Sequence, residues 1–183
     1  MKIIKGLFLS ILVMGFVSCD DDDDNENMEE MMSYTAQLGS LNDSGVSGTA
    51  TVSLQGDEIT VNIMAQGMTP EMTHPQHIHG LSDANANATC PPATADEDED
   101  GIITIPEGAP FYGEVLLPLE DFPMADAEGN ISYEQTFMLG ENGMPTAEEL
   151  ADLENRVIVL HGIDNEGEYV ATIPAACGEL MMN

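Results

Sequence analysis

The chain has 183 residues, and its 34 acidic side chains face only three lysines and arginines, for a formal net charge of −31. A surface of that sign repels nucleic acid and anionic headgroups, which excludes both as partners, and it attracts cations. Roughly 150 residues lie beyond the N-terminal segments, enough for one domain with a real core.

The N-terminus reads as a secretory signal over residues 1–18. Lys2 and Lys5 form a positive start, and the apolar run 6–17 follows. That run is too short to cross a bilayer, which takes ~20 apolar residues as a helix. It ends in Phe16-Val17-Ser18-Cys19, which resembles the lipobox of bacterial lipoproteins. The resemblance implies lipidation of Cys19 and a membrane contact made only through that lipid. Removing the signal takes both lysines and leaves Arg156 alone against 34 acids, a formal charge of −33. Residues 20–32 are acidic and aperiodic, so 19–32 reads as a solvated tether before a domain over 33–183. An acidic run after such a cysteine resembles the export signal of some Gram-negative lineages, which implies display at the outer membrane or cell surface.

From Ser33 onward the apolar pattern has period two. Ala50, Val52 and Leu54 alternate with polar residues, and after Gly56-Asp57 so do Ile59, Val61 and Ile63. That pair predicts a β-hairpin with one buried face. Further strands are expected over 34–38, 76–79, 114–119, 131–138, 156–161 and 168–173. The set predicts an all-β, antiparallel Greek-key sandwich or barrel. One short helix is expected: Thr146 and Glu149 form a capping box, and the helix should end near Asn155.

Besides Cys19, two cysteines remain, Cys90 and Cys177. In an oxidising compartment they are read as a disulfide, with two buried thiols as the alternative.

His77-Ile78-His79 places two imidazoles on one face of a strand, ~6.6 Å apart at the backbone, with Ile78 pointing into the other layer. His161 closes the apolar run Val157-Ile158-Val159-Leu160 and is expected at a strand end. Neutral imidazole suits copper, zinc and iron. His74 is a candidate fourth ligand, brought back by Pro75-Gln76, and Met68 and Met72 lie nearby in sequence.

The order Gly48-Thr49-Ala50, His77-Ile78-His79-Gly80, Cys90, Arg156 to His161, and Ala176-Cys177-Gly178 resembles copper-zinc superoxide dismutase and its relatives. The His77 to Gly80 stretch is also similar to CHRD (chordin-type) domains. The resemblance implies copper at His77, His79 and His161, where imidazole chemistry alone would also admit zinc, and a Cys90–Cys177 bond. The chain departs from the family in two places. No histidine lies between His79 and His161, so the bridging ligand and the zinc-site histidines are missing. Pro174-Ala175-Ala176 stands where the family carries the arginine that guides superoxide, and a field of −33 repels an anionic substrate.

Residues 96–107 (DEDEDGIITIPE) match a twelve-residue EF-hand loop. Asp96, Asp98 and Asp100 stand at positions 1, 3 and 5, Gly101 at 6 and Ile102 at 7 for its carbonyl. Thr104 stands at 9 and Glu107 at 12 for bidentate binding. Ca²⁺ needs six to eight oxygens, and this alternation supplies them. Pro91-Pro92 before the loop, and Pro106, Gly108 and Pro110 within or after it, are expected to leave no room for flanking helices. Nothing resembles a Ser-His-Asp arrangement or a phosphate-binding loop. These readings together predict a lipid-anchored, non-catalytic envelope protein that binds copper and calcium. A copper-dependent dismutase with an altered site, or a structural and adhesive CHRD-type module, are the alternatives.

Overall fold

The structure, a computed structural model, describes residues 30–82 and 86–183, so the expected signal, Cys19 and the expected tether up to residue 29 lie outside the described residues. The chain order is β1 (Met32–Ser40), β2 (Ser47–Gln55), β3 (Glu58–Gln66), β4 (Gln76–Gly80), α1 (Ile105–Tyr112) and β5 (Glu114–Pro118). There follow β6 (Ile131–Met138), α2 (Ala147–Leu150), β7 (Val157–Asn165), β8 (Glu168–Glu179) and β9 (Met181–Met182). Every pairing between these strands is antiparallel.

Eight strands follow one path, β5-β4-β7-β8-β1-β2-β3-β6, curled into a half-barrel, and β9 pairs with β1. The neighbours β3–β6, β4–β7 and β8–β1 are non-consecutive, as Greek-key connections require. The two edges of the path, β5 and β6, follow each other in sequence, and the Tyr133 hydroxyl of β6 donates to the Glu120 carbonyl just past β5.

The alternating pattern explains the inner layer. Ala50 and Val52 on β2 and Ile59, Val61 and Ile63 on β3 have no exposed surface, whereas Thr51, Glu58 and Met64 between them face out. Each of these valine and isoleucine side chains contributes about 1.5–3 kcal/mol on burial. In contrast, β7 is buried from Val157 through Ile163. Its continuous apolar run reflects cover on both sides. Ile158 and Leu160 enter the barrel core with Ile78, while Val157 and Val159 join a second cluster with Tyr112, Ala88 and Cys177.

That second layer is built from residues 88–112. Cys90 and Cys177 are bonded, with Cα atoms 5.7 Å apart across 87 residues of sequence. The Ala88 and Thr89 amides donate to the carbonyls of Asn155 and Phe111, tying this segment to the start of β7 and the end of α1.

Several expectations change. Two helices form rather than one. The α2 capping box forms as read, but the helix stops at Leu150: Asp152 takes a left-handed backbone, and a separate 3₁₀ turn, Leu153–Asn155, follows. The strand expected from Arg156 starts at Val157, and Arg156 itself is almost fully buried, its Nη2 donating to the Ala151 carbonyl. The C-terminal β9 was not anticipated. It closes against the start of β1, and Asn183 bonds to Ser33 and Thr35.

Candidate metal centre

Strand register brings three histidines together. His77 and His79 share the outer face of β4, and Ile78 between them is fully buried in the barrel core. β4 pairs with β7 so that His77 lies opposite Val159 and His79 opposite Val157. His161, two residues beyond Val159, therefore lies on the same face, diagonally past His77. Its amide donates to the Pro75 carbonyl at 2.8 Å.

His161 is not at a strand end as expected. β7 continues to Asn165, and His161 sits between two register irregularities of the β7–β8 pair. Gly162 makes this possible: its φ is +102°, and a Cβ there would run into the Tyr169 hydroxyl.

The three ring centroids are 5.2 Å (His77–His161), 5.4 Å (His77–His79) and 6.0 Å (His79–His161) apart. One nitrogen from each ring lies within 4.8 Å of the others. Bonds of ~2.0–2.1 Å to one metal would set the nitrogens roughly 3.5 Å apart, a spacing within reach of small ring rotations.

Hydrogen bonding sets which nitrogens are available. The Gly113 and Thr172 carbonyls lie 3.2 and 3.1 Å from Nδ1 of His79 and His161. A carbonyl only accepts, so each Nδ1 carries the proton and each Nε2 keeps its lone pair. Nε2 of His79, Nε2 of His161 and Nδ1 of His77 are buried without a protein partner among the described residues. Buried ring nitrogens without a partner, one on each of three clustered histidines, are costly unless something satisfies them.

Burial keeps the rings neutral. It pushes His77 down to about 3, with His161 and His79 adding to the shift. His79 falls to about 4, again chiefly by burial, against the bond to Gly113. His161 is lowered by burial against its bond to Thr172. Neutral imidazole is the metal-binding form.

His74 does not join the group. It is fully buried, with Nδ1 3.0 Å from the His161 carbonyl and Nε2 2.9 Å from that of Thr69. Both nitrogens thus face the backbone, and the ring braces residues 69–75 against His161. Met68 is buried in the barrel core.

Two aromatic residues that sequence reading missed complete the surroundings. Tyr112 packs edge-on against His79 at 4.9 Å, and Phe122 against His77 at 5.6 Å. Tyr112 ends α1, the helix the prolines seemed to forbid. Pro106 stands in the first turn, where its missing N–H costs nothing, and Gly108 leaves room for the Tyr112 ring. Thr104 and Glu107 cap this helix, the same spacing that marked α2, so the signal was present in the sequence.

In the acidic loop, carboxylates of Asp96, Asp98 and Glu107 lie within 4.8 Å of one another. The Asp100 amide donates to the carboxylates of Asp96 and Asp98, and its own carboxylate, outside that trio, accepts from the Ile102 amide. The Thr104 hydroxyl and amide donate to Glu107, whose carboxyl is lowered first by that hydroxyl and then by backbone amides. Helix α1 begins at Ile105, the tenth residue of that loop.

No protein-family model and no curated protein matches the chain.

Proposed function

We propose that this chain is an exported metal-binding protein whose centre is His77, His79 and His161. The observation that carries the reading is the cluster of three histidines, each with a buried ring nitrogen that has no protein partner among the described residues, with Nδ1 of His79 and of His161 bonded to carbonyls. The donor set fits copper or zinc. The order of HxH, cysteine, strand-borne histidine and Cys-Gly is similar to copper-zinc superoxide dismutase, and CHRD domains resemble part of it. A disulfide fits an extracytoplasmic compartment. A lipid on Cys19, a tether over 19–32 and an envelope location complete the proposal.

The role is binding rather than catalysis. The chain lacks the family's bridging histidine and guiding arginine, and its acidic surface repels superoxide. Metal analysis of protein purified from its native envelope should find close to one equivalent of copper or zinc. Its absence from wild type at saturating metal would overturn the reading.

A second ion is proposed at the acidic loop. Asp96, Asp98 and Glu107 converge at the loop positions that bind Ca²⁺, and Asp100, Ile102 and Thr104 are the remaining candidate ligands. At a hundred times the dissociation constant, Ca²⁺ would stabilise the fold by ~2.7 kcal/mol, or about 5–10 °C in a domain of this size. A thermal melt in calcium or chelator tests this. A shift retained by Asp96→Ala with Glu107→Gln would sink it.

A further inference from the structure

The surroundings of the three histidines bear on the charge of the ion they would hold. All three donors are neutral. Among the described residues the second nitrogens of His79 and His161 bond to the carbonyls of Gly113 and Thr172, and no carboxylate bonds to any of the three rings. In a chain with 34 acids, that exclusion is informative. The Phe122 and Tyr112 rings pack edge-on against His77 and His79, and the Tyr112 hydroxyl donates to the Ile105 carbonyl.

Moving an ion from water into a buried site costs a desolvation energy that rises with the square of its charge, about fourfold from a monovalent to a divalent ion. Zn²⁺ or Cu²⁺ here would have no resident anion to offset that cost and would need hydroxide or an outside anion as a fourth ligand. A monovalent ion would not. Cu(I) is stable with three nitrogen donors around it, which is the number the strands supply.

We propose that the centre is selective for monovalent copper, held by Nδ1 of His77, Nε2 of His79 and Nε2 of His161. This inference rests on the metal-centre reading and narrows it. The protein holds reduced copper and does not cycle it, because the same neutral, carboxylate-free shell that accepts Cu(I) penalises Cu(II).

The test uses the metal-free chain with its disulfide intact. Cu(I) is competed anaerobically against bathocuproine disulfonate, and Cu(II) and Zn(II) against chelators of known affinity. The expected result is one equivalent of Cu(I) with a Kd at least about a hundredfold below that for Cu(II). X-ray absorption of the Cu(I) form should show three nitrogen neighbours. Cu(II) or Zn(II) held as tightly as Cu(I) would overturn the selectivity while leaving the metal centre standing. Binding of none of the three ions would overturn the centre itself.

Discussion

Acidification of the metal-free protein should reveal the neutral histidines as a pH-dependent loss of stability, and His79 allows the magnitude to be worked out. In the fold its ring is pushed down to about 4, mainly by burial. In the unfolded chain an imidazole titrates near 6.5. Above 6.5 both states are neutral and the ring contributes no pH dependence. As pH falls through 6.5 the unfolded chain takes up a proton that the fold refuses, so stability falls, and the loss is complete only below about 4. The full difference is about 3 kcal/mol, of which about 2 kcal/mol is lost between pH 7 and pH 5. In a domain of this size that is a drop of about 4–8 °C in Tm. The many surface carboxylates shift the stability of any variant on the same pH change, so the measurement is a difference. Wild type and His79→Gln are unfolded with urea in chelator at both pH values. Wild type should lose about 2 kcal/mol more than the variant on going to pH 5. Parallel losses in the two proteins would show that the ring is not held neutral, and the assignment of its Nε2 as a metal donor would lose its basis.

Replacing Cys90 and Cys177 by serine should destabilise the fold by about 4–5 kcal/mol, the chain-entropy value for a loop of this length, as read from urea unfolding. A loss below 1 kcal/mol would contradict the role given to the bond. Gly113→Ala should destabilise by more than about 2 kcal/mol, because φ is +80° and the new Cβ would strike the Gly80 carbonyl. The same change displaces the carbonyl that fixes His79, so copper affinity should fall with it, and unchanged affinity in a folded variant would argue against that coupling. Cys19→Ala should release the protein from membranes or block its processing; fractionation identical to wild type would refute lipidation.

Much of the architecture was readable because burial on one face leaves a period-two trace. Ile59, Val61 and Ile63 marked β3, and residues 131–138 bound β6 as expected. The pairing of His77 with His79 followed from that periodicity, and the burial of Ile78 between them bears it out. Long-range register was not readable. The position of His161 depends on how β7 aligns with β4 and on the irregularities on either side of His161, neither of which leaves a local pattern. His74 reads as a ligand by its closeness in sequence, but the fold sets its ring nitrogens beside the carbonyls of His161 and Thr69, outside the cluster of three. Helix α1 is hidden in the sequence because its prolines and glycine act locally as helix breakers. Pro106 falls in the first turn, and Gly108 answers to a clash with Tyr112 that only the folded chain contains. The short β9 has no periodicity to detect and owes its existence to the free edge of β1.

The central claim is that His77, His79 and His161 hold one metal ion, and an anomalous difference map at the copper edge tests it most directly. Crystals of the metal-free protein grown anaerobically with Cu(I) should show a single strong peak bonded at ~2.0–2.1 Å to Nδ1 of His77 and to Nε2 of His79 and His161. A map with no density between these three nitrogens at saturating copper, or with the peak at His74 instead, would contradict the account.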